Sequence, residues 1–370
     1  MSLSSSRASI WLSQRLLSIP TVTVPLPVLK QFCREAAERI GVGADDAEIF
    51  VDVLISGSLR SLPGQGQGVQ QLPTYYERVK AGVIDVNASL EVLTRSGGVA
   101  LVDAHRALGS VAATRAMRLS IELAAAQGVG AVGVRDSTHF GIAAYYAMLA
   151  LPHDFIGLAF SNAGPEIAPW GGTKAIVGTN PWAVAVPSGQ EWPVVLDMAN
   201  STSGKGMIGW YSREGRAIPN DWALTAAGLR TTDPTEGLAG TLFPLGGAKG
   251  YAMAVVVDAL TGVLTGSAFG LSCFGAEWQN VGHLLVALDV SKFGEVEDFK
   301  TRMDRLIDEI RSSPTALPGD TIFLPGELEA RRASERLTEG VPLEAGRFES
   351  LVALGHDLGV PTMLEEVGER

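Results

Sequence analysis

Apolar residues recur at helical spacing over the first part of the chain. One predicted helical face carries Leu26, Leu29, Phe32, Ala36 and Ile40. A second apolar set extends to Leu54, and Gly41 and Gly43 stand between the two sets, as is typical where one helix ends and the next begins. A further helix is predicted over 75–80. The pattern therefore predicts a helical N-terminal region.

After residue 87, short β-like runs alternate with helix. Strands are predicted at 99–103 and 128–137, with an alanine-rich helix from about Ser110 to Gln127 between them. Other strand-like runs are FIGLAFSN, KAIVGTN, WAVAVPS, PVVLDMA and HLLVALDV. Helices are predicted over 296–311 and again within LEAGRFESLVALGHDLGV. The sequence thus predicts an α/β fold with an N-terminal extension (1–24), a sheet domain (96–289) and a helical domain assembled from 25–95 and 290–370.

The composition indicates a globular protein. Of 370 residues, 46% are hydrophobic and 19% are charged, so the chain can bury enough apolar surface to fold. A net charge of −11 repels phosphate backbones and anionic lipids, and neither nucleic acid nor a membrane is an expected partner. The uncharged run 259–276 follows Asp258 and contains Gly262 and Gly266, so we predict a buried helix over 247–266 rather than a membrane span.

The two cysteines, Cys33 and Cys273, lack any CxxC spacing and are predicted to be core thiols. No metal site is predicted from ligand spacing. The first twenty residues are rich in serine and carry two arginines and no acid, so they fit either a transit peptide or an extension on the body. Without an apolar stretch of secretory length there, we expect a cytoplasmic protein.

A literal G-x-G-x-x-G occurs at Gly128, Gly130 and Gly133. In a dinucleotide fold this turn follows a strand and opens a helix, so that the pyrophosphate meets the helix N-terminus. Here the glycines end a predicted helix and enter a predicted strand. The context therefore does not favour a Rossmann site.

Three polar residues stand in settings that suit chemistry. His139 follows a predicted strand in DSTHFG, and its imidazole suits acid–base work near neutrality. Lys249 lies in PLGGAKGY, where it can meet a phosphate or ribose or can simply snorkel from a tight turn. Asp197, in LDMANS, can accept hydrogen bonds from ribose hydroxyls or cap the next helix.

The order of several motifs carries a resemblance to a known family. The motifs are DSTHFG, Pro-Trp-Gly-Gly at 169–172, GTNP at 178–181, LDMANS, IPNDWALTAAG, TTDP, PLGGAKGY and LPGE at 324–327. Over about 24–359 the chain resembles the second, non-Rossmann type of malate/L-lactate dehydrogenase. That family includes ureidoglycolate, sulfolactate and diketogulonate enzymes and Δ1-piperideine-2-carboxylate reductases.

The resemblance implies NAD- or NADP-dependent hydride transfer in a homodimer, with the cofactor on a non-Rossmann sheet. It implies that His139 donates or accepts the proton and that Tyr75 belongs to the catalytic site. Implied cofactor contacts are Ala163, Asp197, Met198, Ala199 and Lys249. The sequence leaves the choice between NAD and NADP open.

The departure from the family lies in the expected substrate motif. Family members resemble S-H-G-V-x-R-L-P-x-Y, whereas this chain reads GQGVQQLPTY over 66–75. Gln67 stands for the histidine and Gln71 for the arginine, and a glutamine amide binds anions much less well than a guanidinium. The resulting hypothesis is a neutral or larger substrate bound by Gln67 and Gln71, with Arg60 or Lys174 as alternative carboxylate ligands.

Three functions remain open at this point. The first is a dehydrogenase acting on a secondary alcohol/ketone pair, and the second is a cyclic imine reductase that uses the same cofactor and His139. The third is a binding protein that keeps NAD(P) but has lost catalysis, for which the substitutions at 67 and 71 argue. The retained His139, Tyr75, Asp197 and Lys249 argue for an enzyme.

Overall fold

The computed structural model describes residues 20–62, 64–275, 279–317, 320–361 and 363–368. Its helices are α1 (Leu26–Ile40), α2 (Ala44–Arg60), α3 (Leu72–Lys80), α4 (Gly109–Gln127), α5 (Ala143–Met148), α6 (Lys205–Arg213), α7 (Pro234–Ala239), α8 (Ala248–Asp258), α9 (Val296–Arg311), α10 (Glu327–Glu339), α11 (Ala345–Leu358) and α12 (Glu365–Gly368). Its strands are β1 (Thr21–Val24), β2 (Glu91–Ser96), β3 (Val99–Asp103), β4 (Val129–Ser137), β5 (Phe155–Ser161), β6 (Trp182–Val186), β7 (Val194–Met198), β8 (Ala223–Leu224), β9 (Thr241–Leu242), β10 (Val281–Asp289) and β11 (Val341–Glu344). The segment predicted as a transit peptide or extension falls almost wholly outside these residues.

Within the described ranges, seven strands form one sheet in the order β2-β3-β4-β10-β5-β6-β7. The neighbours β3 and β4 are parallel and are joined through α4, whereas the other neighbouring pairs are antiparallel. A doubly wound dinucleotide fold has a mainly parallel sheet. The α/β prediction with a non-Rossmann sheet is therefore confirmed.

Helices α4 and α5 pack on this sheet through small side chains. Alanines of both helices are buried in the sheet core. A Cβ added at Gly130 would lie 1.8 Å from the Ser120 carbonyl oxygen, and one at Gly157 would lie 2.1 Å from that of Ala147. The alanine-rich composition thus reflects a close approach of helix backbone to strand backbone.

A second hydrophobic cluster joins both ends of the chain. It contains residues of α1, α2, α3 and α11, with Phe32, Phe50 and Leu351 among those almost fully buried. Strand β1 pairs with β11, and Val24 lies opposite Val341. The helical part is therefore complete only when N- and C-terminal segments meet. The domain limits near 95 and 290 stay a prediction.

The last turn of α2 is held by α10. Arg332 donates to the carbonyl oxygen of Arg60, and Arg336 donates to those of Ser58 and Ser61 at 2.5 and 2.9 Å. Carbonyls at a helix C-terminus lack donors within the helix. The two guanidinium groups supply these donors from a distant part of the chain and fix the point where α2 enters the loop 61–68.

Most predicted elements are confirmed, including α4, α9 and the strands β3 to β7 and β10. The strand prediction for KAIVGTN is wrong, because Val177 makes only an isolated bridge, to Ile167. Asn180 adopts φ 41°, and its side chain accepts a hydrogen bond from the Ala163 N–H at 2.9 Å. The chain bends there to meet the segment after β5 instead of pairing along a strand.

The prediction of buried helix over 247–266 is confirmed for the helix, which runs over 248–263, and is wrong for the burial. Helix α8 ends at Asp258, and a π-helical turn, Ala259–Val263, follows. Thr261 packs inward, but Val256, Val263 and Leu264 are 51%, 61% and 66% exposed. Hydropathy alone does not reveal which apolar side chains a neighbour covers. No helix among the described residues is long and apolar enough to cross a membrane.

We expect Gly130→Ala to lower the free energy of unfolding by about 2–3 kcal/mol, because the methyl group would overlap the α4 backbone. Gly294→Ala is the matched control, since a Cβ there has no neighbour within 4 Å. Urea unfolding of both variants measures the difference. Equal stabilities would mean that Gly130 is not needed for packing.

Candidate active site

The loop between β4 and α5 presents His139. Thr138 anchors it from one side, since its hydroxyl donates to the Ala107 carbonyl at 3.0 Å and accepts from the Gly109 N–H at 2.9 Å. Phe140 anchors it from the other side by stacking on His283, with ring centroids 4.7 Å apart. The backbone around His139 is therefore held by contacts that do not use its imidazole.

Tyr75, on α3, contacts the imidazole directly. Its hydroxyl lies 2.7 Å from Nδ1 of His139 and 3.3 Å from the carbonyl oxygen of the same residue. The hydroxyl can donate to either atom, so Nδ1 can be an acceptor or a donor. No hydrogen bond in the described part of the chain uses Nε2, which remains available to a ligand.

The protein disfavours the charged form of His139. Burial lowers its pKa to about 4, and the charge of Arg78, one turn after Tyr75, acts in the same direction. Burial also raises the pKa of Tyr75. At neutral pH both groups are uncharged, so the imidazole can accept a proton through Nε2.

His139 lines a cavity of about 900 Å³. The strand end Asp197–Ala199 and the loop residues Ala163 and Gln67 line the same cavity. Apolar walls come from residues such as Met198, Val195 and Phe274. The structure therefore brings together most of the site residues predicted from the sequence.

Asp197 connects this cavity to α5. Its carboxylate is accessible from the cavity but surrounded by protein, and the loss of hydration raises its pKa to about 6. It accepts a hydrogen bond from the Ala144 N–H at 3.0 Å. Asp197 therefore does cap a helix, but α5 rather than the next helix in sequence.

Three predicted residues, Gln71, Lys249 and Tyr75, lie outside the lining of the cavity. The Gln71 side chain donates to the Gly66 carbonyl oxygen at 2.6 Å, which stabilises the loop rather than facing the cavity. Lys249 is exposed in the first turn of α8. Tyr75 does not line the cavity, but its hydroxyl contacts the imidazole of His139, which does.

Several lining residues were missed by sequence reasoning. Glu166 and Lys205 approach each other at 3.9 Å on the cavity wall, and Glu329 comes from the segment after LPGE. These side chains sit in segments without a recognisable local motif. The LPGE motif before Glu329 supported the family resemblance but did not indicate a site residue.

Known proteins match this chain over most of its length. Residues 24–352 match the family model described as malate/L-lactate dehydrogenase. The chain is 35% identical over 338 residues to the L-sulfolactate dehydrogenase of Methanothermobacter thermautotrophicus, covering 90% of this chain and 96% of that protein. The chain belongs to the malate/L-lactate dehydrogenase family. The resemblance inferred from the motifs is thereby confirmed.

Solved structures agree with this family membership. The sulfolactate dehydrogenase from Methanocaldococcus jannaschii superposes with a TM-score of 0.86 at 32% identity, covering 94% of this chain and 99% of that one. The Δ1-piperideine-2-carboxylate reductase from Pseudomonas syringae pvar. tomato gives 0.80 at 25% identity, covering 90% and 99%. As a member of this dehydrogenase family, the chain is an oxidoreductase.

Burial should keep His139 neutral well below the pH at which free imidazole titrates. In protein labelled with ¹⁵N-histidine, we expect the His139 resonance to show its inflection near pH 4 rather than about 6.5. The Arg78→Gln variant should move the inflection upward, because a positive charge is removed. An inflection near 6.5 in the unmodified protein would contradict this description, and His139→Ala identifies the resonance.

Proposed function

We propose that the protein catalyses hydride transfer between NAD or NADP and the carbon of a secondary alcohol/ketone pair. The observation that carries the proposal is the 2.7 Å contact between Tyr75 and Nδ1 of His139, which leaves Nε2 of an uncharged imidazole beside a large cavity. This arrangement suits a group that takes a proton from an alcohol and returns it to a ketone.

The cavity fits a nicotinamide cofactor. Its volume of about 900 Å³ is near the upper end for small-molecule sites. Apolar walls at Met198 suit a flat ring, and the carboxylate of Asp197 offers an acceptor for hydroxyl groups. We assign Ala163, Asp197, Met198 and Ala199 to cofactor binding. Lys249 is assigned only to a part of the cofactor that extends beyond the cavity.

The bound nicotinamide supplies the hydride donor or acceptor. In alcohol oxidation, Nε2 of His139 accepts the hydroxyl proton while Nδ1–H donates to the Tyr75 oxygen. The Tyr75 hydroxyl then donates to the His139 carbonyl oxygen, so the imidazolium has a partner for Nδ1–H. In ketone reduction, the imidazolium returns the Nε2 proton to the substrate oxygen.

A second candidate is reduction of a cyclic imine with the same residues. The similarity to the solved piperideine-2-carboxylate reductase favours keeping this alternative. The proton from His139 would then go to nitrogen instead of oxygen. The intact contact between Tyr75 and His139 argues against a protein that has lost catalysis.

We further propose a cytoplasmic homodimer. The exposed side chains of Val256, Val263 and Leu264, followed by Phe269 and Leu271, place five large apolar groups on the surface within one stretch of chain. Exposed apolar surface of this kind is typical of protein interfaces.

Replacing His139 by alanine should lower kcat for alcohol oxidation by about 10²- to 10⁴-fold, because the proton acceptor is lost. NADH and NADPH oxidation with 2-oxo acids, ketones and cyclic imines measures the reverse reaction. Tyr75→Phe should give a smaller loss. His356→Ala, on α11, is the matched control and should retain full activity, and an active His139→Ala enzyme would contradict the proposal.

Leu264→Glu should shift the protein from dimer to monomer in sedimentation velocity, because a charge would be buried in the interface. Leu337→Glu is the matched control, since Leu337 is 57% exposed on α10. A monomeric unmodified protein would exclude the proposed homodimer.

A further inference from the structure

The cavity that holds His139 is also lined by the side chain of Arg60. Among the described residues, no side-chain or backbone acceptor lies within hydrogen-bond distance of its guanidinium. The charges of Glu329 and Asp197 act on this guanidinium, yet neither carboxylate forms an ion pair with it. A half-buried guanidinium therefore lines the cavity, and no residue that the structure describes accepts a hydrogen bond from it.

The backbone of Arg60 is held firmly although its side chain is free. Arg332, which is 8% exposed, donates to its carbonyl oxygen, and Arg336 donates to the residues on either side. Burying two arginines on one helix end is costly unless their donors are used. The structure thus fixes the direction from which Arg60 enters the cavity.

The loop after α2 places Gln67 in the lining of the same cavity as Arg60. A Cβ at Gly57 would lie 2.2 Å from the Gln67 carbonyl oxygen, and the Val69 N–H donates to the Ser58 hydroxyl at 2.9 Å. The loop therefore folds back tightly onto the last turns of α2. The side-chain Oε1 of Gln67 is buried without a hydrogen-bond partner among the described residues. Most buried polar atoms in folded proteins are hydrogen-bonded, and because Gln67 also lines the cavity this oxygen is a candidate acceptor for a ligand group.

The sequence-based hypothesis assigned the substrate to Gln67 and Gln71. In the structure the Gln71 amide is engaged by Gly66 and does not line the cavity. The cavity also contains the carboxyl groups of Glu166, Asp197 and Glu329, which would repel an anionic ligand. A carboxylate could bind there only beside a guanidinium or an ammonium group.

We infer that Arg60 binds the carboxylate of a 2-hydroxy or 2-oxo acid substrate, with Gln67 hydrogen-bonding a neutral group of the same molecule. In this chain Gln71 stands where the family motif has an arginine, and Arg60 supplies the positive charge instead. The inference rests on the proposed function for the reaction, but carboxylate binding itself requires no turnover.

The first test is binding of oxalate, a mimic of a 2-oxo acid, measured by calorimetry with and without NADH or NADPH. We expect Arg60→Gln to weaken oxalate binding by about 10- to 100-fold, because charge-assisted hydrogen bonds are lost. Arg60→Lys should recover part of the affinity. Arg305→Gln removes the same charge from an exposed position on α9 and should change nothing. Absence of oxalate binding in the unmodified protein, or equal affinity in Arg60→Gln, would overturn the inference.

The second test compares pyruvate with neutral pyruvamide as substrates. Arg60→Gln should raise KM for pyruvate by about 10- to 100-fold and leave KM for pyruvamide unchanged. Equal losses for both would mean that Arg60 only shapes the cavity. Gln71→Ala separates the two hypotheses, since a larger effect on pyruvate there than in Arg60→Gln would return the role to Gln71.

The two proposals fail in different ways. Oxalate binding that depends on Arg60, without oxidation of NADH or NADPH by any substrate, would contradict the proposed reaction and leave the inference standing. Turnover restricted to neutral ketones would contradict the inference and leave the reaction standing.

Discussion

The hydrogen bond between Tyr75 and His139 is the contact on which the site depends. Tyr75 belongs to the cluster built from α1, α2, α3 and α11, whereas His139 extends from the end of β4 in the sheet. The proposed proton transfer therefore requires that two separate hydrophobic clusters keep Tyr75 and His139 at a fixed distance. Packing of Phe50 edge-on against Tyr75 and stacking of Phe140 on His283 secure the two ends of this contact.

A second constraint acts on the cavity wall that the end of α2 forms with Arg60 and Ser61. The last turn of α2 packs through Leu59 against the helical core, and polar groups from α10 hold its backbone carbonyls. Because Arg332 and Arg336 would be costly to bury without partners, the carbonyls of α2 and these guanidiniums stabilise one arrangement. Hydrogen bonds and packing thus both hold this wall of the cavity.

Local signals in the sequence were enough for the strands β3 to β7 and β10, for α4 and for the loop that carries His139. Their periodicity and the glycines at their ends depend on neighbouring residues alone. The hydrogen bonds from α10 to the carbonyl oxygens of α2 could not be predicted, because they join residues far apart in the chain. The orientation of Gln71 toward Gly66 and the exposed side of 256–264 were missed for a related reason, since each is decided by tertiary packing.

The pairing of β1 with β11 has a consequence for biosynthesis. As the chain leaves the ribosome, the sheet can form its α4-covered core while Thr21–Val24 has no partner strand. The cluster around α1 to α3 is complete only after Val341–Glu344 and α11 have been synthesised. The cavity wall formed by the end of α2 is complete only after α10 has been synthesised. Nascent chains released early would carry a folded sheet beside an open, apolar helical surface, which is the form that chaperones and proteases recognise.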